Sequence, residues 1–361
     1  MGARTRGLAN NVLSSGKLDA TDAISGTIAA GNIANDSLNN ATTYGSVTGG
    51  VPAVASDPPS PAEGDIWYNT TTGALRFRAQ AGAWATGGNM NNAKSSGIGG
   101  AGTQTATLAF GGYGSTAVIG FAETYNGTSW TEVADLNTAR FGVAGGGTQT
   151  SALAFGGSSD PLVVAAAETW NGSSWTEVGD LNAVRVYLGG VATDSTAALA
   201  FGGSPPGTTA ATESWNGSSW TEVNDLNSAK RYLGSAGTET AALAFGGDPV
   251  ANGVTESWNG TSWTQVNSLN SLREYVGGAG TQTSALAFGG RLASGSPADV
   301  GFTESWDGSN WSEVADLNTT RIFVGGAGTN NTSAIGFGGN PVTTATEEFT
   351  GGADNLNVDL A

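Results

Sequence analysis

From residue 84 to residue 351 the chain repeats one pattern of apolar, polar and glycine positions, with a period of about 45 residues. Each copy carries a short apolar run ending in Phe-Gly-Gly, first as Leu108-Ala109-Phe110-Gly111-Gly112 and again at 155–157, 201–203, 245–247, 288–290 and 337–339. A phrase of the form Glu-Thr/Ser-aromatic-Asn/Asp-Gly-Thr/Ser-Ser/Asn-Trp follows, at 123–130, 168–175, 213–220, 256–263 and 304–311. A sixth phrase starts at Glu347, reaches Phe349 and stops at Gly351-Gly352 without its tryptophan. Short apolar runs bounded by Gly, Asn and Asp predict strands, four to a copy. The Gly-Gly pairs predict positive φ and close backbone approach where the second strand ends. Asn-Gly or Asp-Gly between the third and fourth strands predicts a tight hairpin turn. Aromatic residues bracket that turn, Tyr125 with Trp130 in the first copy and paired tryptophans in the next four, and these predict the filling between neighbouring sheets.

The missing tryptophan lies upstream. A cation follows each fourth-strand tryptophan by ten residues: Lys94 follows Trp84 as Arg140 follows Trp130, and Arg185, Lys230, Arg273 and Arg321 complete the series. Trp84 thus takes the fourth-strand place in the sheet whose other strands lie between Arg321 and Gly352, beside Phe349. A solenoid of this period would end in atypical caps, whereas here the two ends complete each other. The expected fold is all-β, a six-bladed β-propeller closed by the N-terminal strand around Trp84, which removes exposed sheet edges.

Composition narrows the chemistry. Fifty-eight glycines in 361 residues fit a turn-dense all-β chain, and their lack of a three-residue period excludes collagen. Thirteen basic side chains face thirty acidic ones, a net charge of −17. Such a surface repels phosphate backbones and anionic lipid, so neither nucleic acid nor membrane is an expected partner. There is no cysteine and no histidine, which removes disulfides, thiolate nucleophiles and imidazole bases and takes away the usual zinc ligands. No run approaches the roughly 18 apolar residues of a membrane helix. The opening residues, Met1-Gly2-Ala3-Arg4-Thr5-Arg6 leading to Asn10-Asn11, predict no signal peptide.

The order of a Gly-Gly pair, an aromatic, a tryptophan and an arginine opening the next unit resembles the kelch family of propellers. The likeness covers about three quarters of the chain, with a shorter aromatic-to-tryptophan interval. It implies a fold and leaves function open, since kelch propellers serve as binding modules and as enzymes. Residues 1–60 are small and polar, with Ile24, Ile28, Ile33 and Leu38 scattered among them, and read as an extended low-complexity attachment segment. Pro52, Pro58, Pro59 and Pro61 form a stiff hinge. Residues 61–79 hold a linker and a β-hairpin, 80–352 the propeller and 353–361 a C-terminal tail. The hairpin phrase Gly64-Asp65-Ile66-Trp67-Tyr68-Asn69-Thr70-Thr71 is similar to one in bacteriophage tail-fibre and other virion proteins. Residues 25–33 resemble low-complexity attachment regions of marine phage structural proteins. The Ala-Phe-Gly-Gly and Trp-Asn-Gly-Ser-Ser-Trp blades are similar to blades of such phages. The resemblance implies a virion component, made in the host cytoplasm and docked to other virion proteins through residues 1–60.

Six equivalent glutamates, Glu123, Glu168, Glu213, Glu256, Glu304 and Glu347, lack the unlike environments that a glycosidase needs for its two carboxylates. Ion pairs with the blade-opening cations are the expectation. An anion-binding ring formed by Lys94, Arg140, Arg185, Lys230, Arg273 and Arg321 at one channel mouth is the alternative. The Asn-x-Ser/Thr triplets read as turn chemistry, and Asp160, Asp248 and Asp299 stand in no calcium-ligand ladder. No catalytic residue, metal or cofactor is expected.

In a four-stranded blade the first-to-second and third-to-fourth turns share one face, and the second-to-third and fourth-to-first loops share the other. The turn face is monotonous. The loop face changes from blade to blade, with Tyr113, then Ser158 and Asp160, Pro205, Asp248 and Asn252, Arg291, Ser294 and Asp299, and Asn340. Loops on a rigid scaffold are where binding resides, although loops under no constraint vary as well. The expected function is a tail-fibre or appendage adhesin whose loop face contacts a host-surface glycan or protein. A capsid or tail decoration protein without a receptor is the alternative, and a polysaccharide depolymerase stands behind both.

Overall fold

The structure, a computed structural model, describes residues 52–55, 66–71, 74–77, 82–204, 207–249, 254–292, 298–351 and 356–358. The attachment segment expected over 1–60 lies outside the described residues except at 52–55. Among the described residues every regular element is a strand. The chain forms two compact units, one of residues 83–351 and one of residues 1–82 with 352–361.

The larger unit is a six-bladed β-propeller. Blade 1 comprises Gly99–Thr103, Ala106–Phe110, Ala122–Tyr125 and Trp130–Val133. Blade 2 comprises Ala144–Thr148, Ser151–Phe155, Ala167–Trp170 and Trp175–Val178. Gly189–Asp194, Ala197–Phe201, Thr212–Trp215 and Trp220–Val223 make blade 3. Gly234–Thr238, Ala241–Phe245, Thr255–Trp258 and Trp263–Val266 make blade 4. Blade 5 is Gly277–Thr281, Ser284–Phe288, Thr303–Trp306 and Trp311–Val314. Blade 6 takes Gly325–Asn330, Ser333–Phe337 and Thr346–Thr350 from the end of the ring and its fourth strand, Ala83–Thr86, from the beginning. The closing pair is antiparallel and sets Trp84 opposite Phe349.

The first strands line the axis, and their glycines are required by crowding there. A Cβ on Gly326 would lie 2.4 Å from the carbonyl oxygen of Gly278, and one on Gly278 would lie 2.5 Å from that of Ser235. The Gly-Gly pairs adopt positive φ in all six blades, 66° and 108° at Gly111 and Gly112. The expected Asn-Gly turn is instead a four-residue loop, 126–129 between the paired Tyr125 and Trp130 in blade 1, in which glycine takes the positive φ and the asparagine side chain caps the loop. Gly127 has φ 89°, and Asn126 Oδ1 accepts the N–H groups of Thr128 and Ser129.

Each fourth-strand tryptophan stacks edge-on against the second-strand phenylalanine of the preceding blade. The pairs are Trp130–Phe337, Trp175–Phe110, Trp220–Phe155, Trp263–Phe201, Trp311–Phe245 and Trp84–Phe288, with centroids 4.8–5.3 Å apart. Four of these indoles also donate Nε1–H to a threonine hydroxyl that opens the third strand of that preceding blade: Trp84 to Thr303, Trp130 to Thr346, Trp263 to Thr212 and Trp311 to Thr255, at 2.9–3.2 Å. Alanine stands at the equivalent positions 122 and 167, and there the Nε1–H groups of Trp175 and Trp220 are buried without a hydrogen-bond partner. An unpaired buried donor is destabilising. Ala122→Thr and Ala167→Thr are each expected to stabilise the protein by roughly 0.5–1.5 kcal/mol, read as a higher denaturation midpoint at unchanged slope.

The smaller unit holds one sheet. Ala53–Val54 runs parallel to Ile66–Asn69, which pairs antiparallel with Ala74–Phe77 as the hairpin phrase predicts. Leu356–Val358, from the stretch read as a tail, pairs antiparallel with Ala74–Phe77. Trp67 is buried in this unit.

Candidate functional site

The repeated cations and glutamates are internal. Lys94–Glu123, Arg140–Glu168, Arg185–Glu213, Lys230–Glu256, Arg273–Glu304 and Arg321–Glu347 form six ion pairs, every member almost wholly buried. Burial pushes the cations' proton affinities down, Lys94 to about 8, and the paired glutamate pulls them back. The second oxygen of each glutamate accepts the backbone N–H of an asparagine in the incoming connector, at 2.6–2.7 Å: Asn91, Asn137, Asn182, Asn227, Asn270 and Asn318. Each carboxylate thereby fastens the chain arriving from one blade to the third strand of the next. The cations are occupied in this clamp and line no channel mouth.

The turn face is committed as well. Gln104, Gln149 and Asn331, in the first-to-second turns, donate side-chain N–H to the carbonyls of Phe349, Tyr125 and Trp306 in the preceding blade. Gln282 does the same to Trp258. Side chains on this face serve to stitch the ring.

On the loop face, second-to-third loops meet fourth-to-first connectors through backbone bridges: Ser95 with Tyr113, Phe141 with Ser158, Val186 with Ser204, Arg231 with Asp248 and Ile322 with Asn340. Two residues past each blade-opening cation the backbone turns left-handed in every blade, at Ser96, Gly142, Tyr187, Tyr232, Tyr275 and Phe323, with φ of 56–60°. Successive members bond N–H to C=O around the axis: Gly142 to Ser96, Tyr187 to Gly142, Tyr232 to Tyr187, Tyr275 to Tyr232 and Phe323 to Tyr275, at 2.8–3.1 Å. This collar holds four aromatic rings over one end of an axial channel of about 270 Å³ that is otherwise lined mainly by glycine and small apolar residues of the first strands.

Those rings belong to a longer row. Tyr113 meets Phe141, Phe141 meets Tyr187, and Tyr187, Tyr232, Tyr275 and Phe323 follow, with consecutive centroids 4.3–5.8 Å apart. Phe323 returns to Tyr187 at 5.5 Å and to Tyr232 at 5.9 Å, so the last four rings close on one another. All six rings are half-buried. Two ion pairs flank the row. Arg231 pairs with Asp248 at 2.9 Å and lies 4.8 Å over the Tyr232 ring, and Arg291 pairs with Asp299 at 2.7 Å and lies 5.4 Å from the Tyr275 centroid. Glu274, held opposite Arg291 in a short ladder, has its carboxyl raised by burial and by the nearby Asp248 charge. Burial and the Glu274 charge push the Tyr275 phenol up to about 12, so both tyrosine hydroxyls beside the arginines are protonated donors at neutral pH. The large apolar side chains exposed among the described residues, Phe121, Leu162, Val184, Leu272, Phe302 and Val342, also come from these loops and connectors.

Of the residues singled out in the sequence, Tyr113, Asp248, Arg291 and Asp299 converge on this site. Asp160 and Asn340 stand exposed in neighbouring loops, whereas Ser158 is buried with its hydroxyl on the Leu162 carbonyl. Pro205, Asn252 and Ser294 lie outside the described residues. Sequence reasoning missed Arg231, Tyr232, Glu274, Tyr275, Tyr187 and Phe323. Their signal was a dipeptide after an invariant cation that changes in every copy. Compared with known proteins, the chain matches no described protein family and no curated protein.

Proposed function

We propose that the propeller is the receptor-binding head of a phage tail fibre or related virion appendage, kelch-like in type, and that its loop face contacts a host-surface glycan or protein. The observation that carries this reading is the contrast between the faces. Turn-face side chains are spent on bonds within the ring, while the loop face gathers half-buried aromatics, partly exposed ion pairs and all the exposed large apolar side chains described. Aromatic and arginine side chains on a preorganised surface are what binding hot spots are made of. The hairpin and blade phrases, with their likeness to virion proteins, supply the setting, and residues 1–60 supply the attachment to the particle.

Labelled full-length protein is expected to adsorb to cells of a strain the phage infects and to compete with the phage. A Tyr232→Ser/Tyr275→Ser double variant, with its melting curve preserved, is expected to lose at least about tenfold in affinity. Stoichiometric binding to virions together with indifference to every cell surface would instead identify a decoration protein.

A further inference from the structure

Building on that reading, we infer that the ligand is an uncharged polysaccharide, a sugar ring of it resting on the aromatic cluster over the channel mouth and its hydroxyls held by the flanking Arg–Asp pairs. Three observations point there. Tyr187, Tyr232, Tyr275 and Phe323 close into one cluster over the channel mouth, and Phe141 and Tyr113 lead outward from it, an apolar platform on which a sugar ring can rest. The rings are locked by one another and by the backbone collar, so little conformational freedom remains to be lost on binding. Apolar ring faces accept the C–H faces of sugars, for which a charged or strongly polar peptide is a poorer match.

The polar groups fit hydroxyls. A sugar hydroxyl both donates and accepts, and each Arg–Asp pair offers guanidinium donors beside carboxylate acceptors, already fixed and each about one-third exposed. Charge balance then excludes an acidic sugar. Arg231 and Arg291 are matched by Asp248 and Asp299, and Glu274 adds a third carboxylate, so two positive charges face three negative ones. A uronate, sialate or phosphate would enter a site with one excess negative charge, on a protein of net charge −17.

The test uses full-length protein and a bacterial strain to which it adsorbs. Surface polysaccharide from that strain is separated by anion exchange into neutral and acidic pools, and each pool competes for adsorption. The neutral pool is expected to compete, equally at low and high salt, since no ligand charge is there to be screened. Tyr275→Ser is expected to weaken that competition by about tenfold or more with an unchanged melt. Serine is chosen because Ser96 already occupies this collar position with φ 59°, against 58° at Tyr275. Competition by the acidic pool alone, fading as salt rises, overturns the inference and leaves the adhesin reading in place. Adsorption that neither pool blocks and that protease treatment of the cells destroys also overturns it, in favour of a protein receptor. Failure to adsorb to any infected strain removes the adhesin reading itself, and the inference with it.

Discussion

Glu304→Ala is expected to destabilise the protein by about 3–5 kcal/mol, the cost of stranding a buried charge. Arg273 and Glu304 are both fully buried, with Nη1 and Oε1 3.1 Å apart. Without the carboxylate the guanidinium keeps only the Ala287 carbonyl, 3.1 Å from Nη2, and its Nε already has no partner. The backbone N–H groups of Asn270 and Ser271 lose their acceptor in the same stroke. Two controls separate these contributions. Glu304→Gln retains an acceptor for Asn270 and should cost less than the alanine variant. Arg273→Met in the Glu304→Ala background removes the stranded charge and should recover part of the loss, but not the part owed to the orphaned N–H groups. Denaturant unfolding of the full-length variants is the measurement. A cost below about 1 kcal/mol for Glu304→Ala would place this pair among weak surface bridges and undo its role as a blade clamp.

The clamp also marks what a repeat can reveal. Strand count, the order of strands in each blade and the borrowing of Trp84 were legible because each was written several times, and a missing element stood out against its copies. The cation and the glutamate were legible for the same reason. The asparagine that completes the clamp, as in Asn137 and Asn182, was just as regular, yet nothing in its residue type told a hydrogen-bond donor from ordinary connector polarity. The aromatic row was hidden by the opposite property. Ser96, Gly142, Tyr187, Tyr232, Tyr275 and Phe323 share one backbone conformation but no side-chain chemistry, so alignment makes them look like drift. Their adjacency comes from convergence at the axis, a long-range consequence of closure that no local pattern encodes. Ser158 shows the converse error, since a position can vary between blades and still be buried for packing.

Closure itself should therefore be the most sensitive seam. Trp84→Ala is expected to cost about 3–5 kcal/mol, lowering the melting temperature by roughly 10 °C. The indole packs on Phe288 at 5.1 Å and on Phe349 at 5.2 Å and donates to Thr303 at 3.0 Å. Its backbone carbonyl accepts from Asn318 Nδ2 at 2.9 Å. Trp263→Ala is the matched comparison, because that indole makes the same contacts, to Phe201 at 4.8 Å and Thr212 at 3.2 Å, inside a blade whose strands follow one another in the chain. In blade 6 only side-chain packing and strand pairing hold Ala83–Thr86 against Thr346–Thr350, with more than two hundred residues between them. Loosening that pairing bares the edge of Thr346–Thr350, a template for another chain. Trp84→Ala should accordingly lose at least as much stability as Trp263→Ala and, unlike it, aggregate on heating in a concentration-dependent way. A Trp84 variant milder than its Trp263 counterpart, and clear of aggregation, would mean that the borrowed strand does not hold the ring shut.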